Sequence, residues 1–306
     1  MKKIIAFGVG RRLDYLMQEG YLEDFEVLAF CDNDVAKQGK MIGGLEIISP
    51  ARIKEYTYDS IYVTSKKYYE EIRRGLEEEW KIDRDRVKYF RMNKYDGELS
   101  YWRERFIEEG GEFKNSHYKK LMLGIAEQED DDFLRGMVVA DFGCGPRGSL
   151  QWTDKPRIKL GIDVLAKDYM DHFGEELAGH NMIYVTSSEK HIPLPTGFVD
   201  CLFTINSLDH VDNLQQMAGE ILRILKHGGT LLASFNLNEP CTECEPQTLT
   251  EDLVRNLILD NFTIESYRLA YKEEGDTYRN IFNNKTVTVS DEEIKPVVLW
   301  VKGKKK

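Results

Sequence analysis

Short apolar runs alternate with stretches of helical period along most of this chain. That alternation predicts strands and helices in βαβ order, and so parallel sheets covered by helices. In the first part, strands are expected at 3–7 (KIIAF), 26–30, 61–64 and 87–90, with helices at 13–19 and 68–80 and a turn at 39–44. In the second part, they are expected at 137–140, 159–165, 183–186, 198–205 and 230–237. Leu214, Met217, Ala218, Ile221, Leu222 and Leu225 recur at helical spacing before the last of these, with Asp212 and Gln215 read as a capping box and Gly228 as the stop. Between the two parts, 98–127 reads as two amphipathic helices parted by Gly110 and Gly111. Their apolar stripes are Leu99, Trp102, Phe106 and Ile107, then Tyr118, Leu121, Met122 and Ile125.

The segment 137–150 (MVVADFGCGPRGSL) carries the most chemical information. A buried strand runs into a glycine-rich turn; Gly143 and Gly145 let main chain pass close to a ligand, and Gly148 allows the next segment to pack tightly. The next strand, KLGIDVL, ends on Asp163, where a carboxylate can accept both ribose hydroxyls of an adenosine. Ser187, Ser188 and Glu189 follow the third strand, where an adenine edge needs polar partners. Asn206, Ser207, Leu208, Asp209 and His210 follow the fourth, at the carboxyl end where open parallel sheets bind ligands.

From about residue 113 to the end, this set resembles the Rossmann-like (class I) S-adenosylmethionine-dependent methyltransferases, through DFGCGPRGSL, NSLDHV and ILKHGG. The resemblance implies a doubly wound, mostly parallel seven-stranded sheet and S-adenosyl-L-methionine as cofactor. It implies that Asp141, Gly143, Cys144 and Gly145 hold the methionine part, Asp163 the ribose, and Ser188 and Glu189 the adenine, with Asn206 nearby. The segment 236–250 resembles one that reads EPH in related sequences; here Gln247 stands in place of the histidine, so no acid, base or metal role is carried over.

The segment 1–92 has a nucleotide-binding pattern of its own: Gly8 and Gly10 after the first strand and Asp32 after the second. Through FGVG, AFCDND, GKMIGG and IISP it resembles small Rossmann-like domains attached to enzymes of bacterial surface-sugar synthesis. Leu13 replaces the third glycine of the fingerprint, and Arg11 and Arg12 fill the turn. Two readings stand side by side: a nucleotide-sugar site built on Gly8, Gly10, Arg11 and Asp32, or a purely structural domain. The overall expectation is an α/β chain of two Rossmann-like domains, 1–92 and 128–306, joined by a helical linker or lid at 93–127.

Composition narrows the class of partner. A net charge of −11 argues against nucleic acid, since phosphate binding normally leaves a basic face. Lys302, Lys304, Lys305 and Lys306 read as a solvated tail. No apolar run is long enough to cross a bilayer and no signal peptide is evident, so the expected location is cytoplasmic. Cys241 and Cys244 form a CxxC without a second pair at zinc-site spacing, so ordinary thiols and no metal are expected. The oligomeric state is not legible.

Methyl transfer requires an acceptor lone pair in line with the methyl, exclusion of water and, for a hydroxyl, loss of a proton. His210 is the candidate base by position, Asp209 its orienting partner, and His117 the alternative base. If the linker helices act as a lid, Phe113, Asn115, His117 and Tyr118 approach the acceptor. Three accounts stand: O-methylation of a sugar, nucleotide sugar or glycan precursor in surface polysaccharide biosynthesis; methylation of another small molecule or a protein side chain over a scaffold N-terminal domain; and a non-catalytic cofactor-sensing module. A dehydrogenase is disfavoured because the better of the two glycine turns, at 143–148, has the methyltransferase pattern.

Overall fold

The computed structural model describes residues 1–242, 244–288 and 295–306. The chain divides into two compact units, Met1–Asp96 and Gly97–Lys306. Among the described residues, no helix is long and apolar enough to cross a membrane.

The first unit is built from β1 (Lys2–Phe7), α1 (Arg11–Gln18), β2 (Phe25–Cys31), β3 (Met41–Ile42), β4 (Leu45–Ile48), β5 (Ser60–Val63), α2 (Tyr69–Glu78) and β6 (Val87–Tyr89). Its sheet runs β3-β4-β2-β1-β5-β6, with β1 parallel to both β2 and β5. Alternate residues of β1 serve opposite cores, Ile5 and Phe7 on one side and Ile4 and Ala6 on the other, which is why KIIAF reads as a continuous apolar run. The expected turn at 39–44 contains more than a turn. Met41–Ile42 pairs antiparallel with Leu45–Ile48 across Gly43 and Gly44, whose φ of +55° and +84° suit a tight hairpin.

The second unit takes in most of α3 (Lys94–Glu108), then α4 (His117–Ala126), β7 (Val138–Phe142), β8 (Ile158–Asp163), α5 (Ala166–Ala178), β9 (Ile183–Thr186), β10 (Val199–Ile205), α6 (Leu214–Ile224), β11 (Leu225–Leu237), α7 (Glu251–Leu257), β12 (Phe262–Tyr271) and β13 (Val297–Lys305). Its seven strands lie in the order β12-β13-β11-β10-β7-β8-β9. Only β13 is antiparallel, against both β11 and β12. The sheet therefore has the expected doubly wound, mostly parallel form. Strand β7 lies inside it between β10 and β8, with Val138, Ala140 and Phe142 in one core and Val139 in the other. Strands are wound outward from β7 in both directions, so a crevice opens at the carboxyl ends of β7 and β10.

Four local expectations are corrected. Asn213, not Asp212, caps α6: its Oδ1 accepts the Gln216 N–H at 3.0 Å. That helix ends at Ile224 against extended Leu225, and Gly228 (φ +71°) turns the chain inside β11. Ile107 is 57% exposed and leaves the stripe of α3, which is wound so that Leu99 faces inward. The terminal lysines are not a loose tail: Lys302, Lys304 and Lys305 belong to β13, and the Lys305 ammonium donates to the carbonyls of Leu222 and Leu225. Gly110 and Gly111, at φ +88° and +89°, end α3, the Gly111 N–H donating to Phe106 O at 2.9 Å.

Candidate functional site

The crevice of the second unit is organised around two carboxylates at adjacent strand ends. Asp141 is buried near the end of β7, and its Oδ1 has no hydrogen-bond partner among the described residues. Burial pushes its carboxyl up to about 7, with the Ser149 hydroxyl opposing and repulsion from Asp163 adding. Asp163, at the end of β8, accepts the N–H of Gly145 on Oδ2 at 3.0 Å and that of Leu165 on Oδ1 at 2.9 Å. Burial raises it to about 6, partly offset by those two N–H donors, with the Glu98 carboxylate adding and His210 opposing.

The glycines between them are required by the fold as well as by any ligand. A Cβ on Gly143 would lie 2.2 Å from Ser207 Cβ, and one on Gly148 would lie 2.6 Å from His180 Cγ. One on Gly145 would meet the Trp102 ring of α3 at 3.1 Å. Buried Cys144 packs toward Gly161 and its thiol is pushed well up by burial, so it contributes shape rather than a nucleophile. All five cysteines are free.

The two helices before β7 are tied to this turn by a residue that the pattern of apolar positions did not single out. The guanidinium of Arg147 pairs with Glu109 and donates to Lys114 O at 2.5 Å, and it lies 5.4 Å from the Trp102 ring and 5.7 Å from that of Phe113. Phe113 is buried against Phe106 and Phe173, while Asn115 Nδ2 donates to Arg147 O at 3.1 Å and also bonds Gln151. His117 is exposed at the start of α4 and stacks on Tyr118; burial of part of its ring, together with Arg147, lowers its pKa. Tyr118 is half-buried and within electrostatic reach of Asp141 and Cys144, burial holding its phenol protonated.

Other expected residues spend their polar atoms inside the unit. The Asn206 side chain donates to Tyr278 Oη at 2.6 Å and accepts from Ser234 Oγ at 3.0 Å, at a φ of +48°. Ser188 Oγ accepts the N–H of His191 at 3.0 Å in a local turn, and Glu189 accepts that of Asp212 at 2.9 Å. These two residues therefore shape the wall after β9.

At the other end of the crevice, Asp209 and His210 lie in the turn after β10. Asp209 is only 5% exposed, and burial pushes its carboxyl up against the pull of His210, with Glu245 and Glu239 adding to the rise. His210 stands between two carboxylates that no motif along the chain marks. Its Nδ1 is 4.0 Å from Glu98 Oε2 and its Nε2 is 3.9 Å from Glu245 Oε1. Glu98 is steadied by the indole N–H of Trp102 at 2.9 Å. Gln247 clamps this turn, its N–H donating to Asp209 O at 3.2 Å and its Nε2 to the carbonyls of Val211 and Asp212. Within 236–250, Glu243 lies outside the described residues.

In the first unit, the glycine turn and acid do come together, but they satisfy each other. Asp32 Oδ2 accepts the Val9 N–H at 2.7 Å and the Lys37 ammonium at 3.0 Å, and Lys37 also donates to Val9 O. A Cβ on Gly8 (φ +104°) would lie 2.7 Å from Thr64 Oγ1, so this glycine answers to Thr64. Gly10 caps α1, with open space at its Cβ position, and Arg11 begins that helix on the surface.

The unpartnered Asp141 oxygen, the Gly143 and Gly145 main chain and the Asp163 carboxylate fit a cofactor with a cationic amino acid end and a ribose. Residues 140–233 match the family described as Methyltransferase domain, and 1–88 match C2185-like, N-terminal. The second unit thus carries an S-adenosylmethionine-dependent methyltransferase domain of class I, and its cofactor is S-adenosyl-L-methionine. The chain is similar to sterol 24-C-methyltransferase erg6 of Aspergillus fumigatus, 26% identical over 121 residues, which are 38% of this chain and 30% of that protein. It is also similar to malonyl-[acyl-carrier protein] O-methyltransferase of Enterobacter lignolyticus, 31% identical over 94 residues, 30% of this chain and 36% of that protein. The chain therefore spans about a third of the length of these curated relatives. Among solved structures, a SAM dependent methyltransferase from Aquifex aeolicus superposes with a TM-score of 0.40 at 19% identity, over 63% of this chain and 98% of that one.

Proposed function

We propose that the whole chain transfers a methyl group from S-adenosylmethionine to a hydroxyl of a small polar acceptor. The observation that carries this reading is the pairing, across one crevice, of a cofactor-type carboxylate end (Asp141, Asp163) with a second polar end (Asp209, His210, Glu98, Glu245). Asp163 and the Gly145 main chain orient the ribose, and Asp141, with its free oxygen, takes the amino acid end. The cofactor supplies the electrophilic methyl when bound. Trp102 and the aromatic group behind it cover the turn and exclude water. At the acceptor end, the Asp209–His210 pair, framed by Glu98 and Glu245, draws the proton from the hydroxyl; an acceptor that must be deprotonated suits such a charged wall.

Sugars, nucleotide sugars and glycan precursors are the acceptors to test first, on the resemblance of 1–92 to domains of surface-sugar enzymes. A second reading is favoured by the Asp32–Lys37–Val9 contacts, which fill the turn of the first unit from within. In that reading the first unit is scaffold and another small molecule or a protein side chain is methylated.

Titration of the full chain with S-adenosylmethionine, followed by transfer of labelled methyl to a panel of free sugars, nucleotide sugars and other hydroxyl compounds, tests both. Binding with transfer to a sugar is expected. Binding with transfer only to a non-sugar selects the second reading, and no cofactor binding overturns both.

A further inference from the structure

The acceptor end of the crevice has the donor set of a metal centre. We propose that Asp209, His210 and Glu245 bind a first-row divalent cation and that Glu98 supports the site from behind His210.

Three ligand-type atoms, one each from Asp209, His210 and Glu245, lie within 4.8 Å of one another, close enough to enclose a single ion after small side-chain adjustments. Clustered carboxylates alone would not carry the inference. The second observation is Asp209 itself: it is 95% buried, since its relative exposure is 5%, and its Oδ1 has no partner among the described residues. A buried, unpartnered carboxylate oxygen costs free energy that a bound cation would recover.

The imidazole supplies the third observation. Its two nitrogens face different carboxylates, Nε2 toward Glu245 at 3.9 Å and Nδ1 toward Glu98 at 4.0 Å. That is the arrangement expected of a metal-bound histidine, in which one nitrogen ligates and the other donates its N–H to an outer carboxylate that sets the tautomer. Glu98 is in turn held by the Trp102 indole, so it is a positioning residue. One nitrogen and two carboxylates favour a first-row ion such as Mn2+ over Ca2+ or Mg2+, which prefer all-oxygen shells.

This inference deepens the proposed methyl transfer and rests on it for its purpose. A divalent cation beside the acceptor would lower the pKa of a coordinated hydroxyl, so that its proton leaves to solvent before the oxygen attacks the methyl and the cofactor departs as the neutral thioether. A hydroxyl acceptor with a neighbouring oxygen, as in a sugar diol, would chelate such an ion.

The test is direct binding of Mn2+ to the full chain after removal of metal with EDTA, followed by the loss of the free-ion electron paramagnetic resonance signal. One Mn2+ per chain is expected, with a Kd of about 100 µM or tighter. Asp209→Asn and Glu245→Gln should each weaken it by about tenfold or more, and Glu98→Gln by a smaller factor that leaves stoichiometry intact. Asp154→Asn, at an exposed carboxylate, serves as control and should change nothing. Glu245 is half-exposed on a loop, so its variant tests the site even if a change at buried Asp209 disturbs folding. No binding at about 1 mM Mn2+, or equal affinity in wild type and both ligand variants, overturns the proposal. Cofactor titration in EDTA separates the two ideas: cofactor binding without Mn2+ binding sinks the metal site alone, whereas absent cofactor binding sinks the methyl-transfer reading.

Discussion

The backbone N–H of Gly145 donates to Asp163 Oδ2 at 3.0 Å, joining the glycine turn after β7 to the acid that ends β8. The carboxylate that the cofactor's ribose is expected to meet is thus already oriented by the turn that meets the cofactor's other end. Asp163→Ala should weaken S-adenosylmethionine binding by about 1.5–3 kcal/mol, through lost hydrogen bonds to a charged partner. Isothermal titration checks this, and unchanged affinity would remove Asp163 from the ribose role.

Asp141 makes stability depend on pH in an unusual direction. Its folded pKa, about 7, lies above the unfolded carboxylate value, so its contribution is complete below that unfolded value and is lost as pH rises to about 7. The ligand-free protein should lose on the order of 2–4 kcal/mol from this group between acid and neutral pH. Asp141→Asn should flatten that slope in urea melts across pH, and an identical slope in both proteins would refute it. Cofactor affinity should rise with pH over the same window in the wild type, because the ionised form attracts the cationic end.

Gly143→Ala should destabilise by about 3 kcal/mol or more, because φ of +71° and a Cβ 2.2 Å from that of Ser207 are both forbidden to alanine. Gly174→Ala, with open space at its Cβ position inside α5, should be neutral or slightly stabilising. Chemical denaturation of the two variants compares them.

His210→Ala should abolish transfer to the acceptor while leaving cofactor affinity nearly intact. Retained turnover would return His210 to a packing role.

Arg147 and Glu109, with side chains 12% and 13% exposed, fasten α3 and the segment after it to the glycine turn. Arg147→Ala should cost about 2–3 kcal/mol by leaving Glu109 unpaired, and Arg147→Met with Glu109→Leu should recover most of it. A double-mutant cycle of melting curves measures the coupling.

Much of the second unit was legible because its signals are local. The run MVVADFGCG carries both the two-faced burial of an interior strand and the glycines of its turn within a few residues, and Asp163 follows at the end of the next apolar run. The same local logic placed Asp209 and His210 after β10. It could not show Glu98, Trp102, Arg147 or Glu245 at that crevice, because their neighbours lie far along the chain and their own surroundings read as ordinary charged helix or loop. The turn of the first unit makes the converse point. Gly8, Gly10 and Asp32 have nucleotide-site spacing, yet Lys37, five residues past the acid, supplies the positive group from within.

Residue order alone therefore dictated which strands and helices form and where the glycine turns fall, since periodicity and φ requirements are properties of neighbouring residues. Folding in three dimensions decided which carboxylates were satisfied and which were left without a partner. Hydrogen bonding and desolvation depend on distances across the sheet, and those exist only once β7, β8 and β10 lie side by side with α3 laid over their ends.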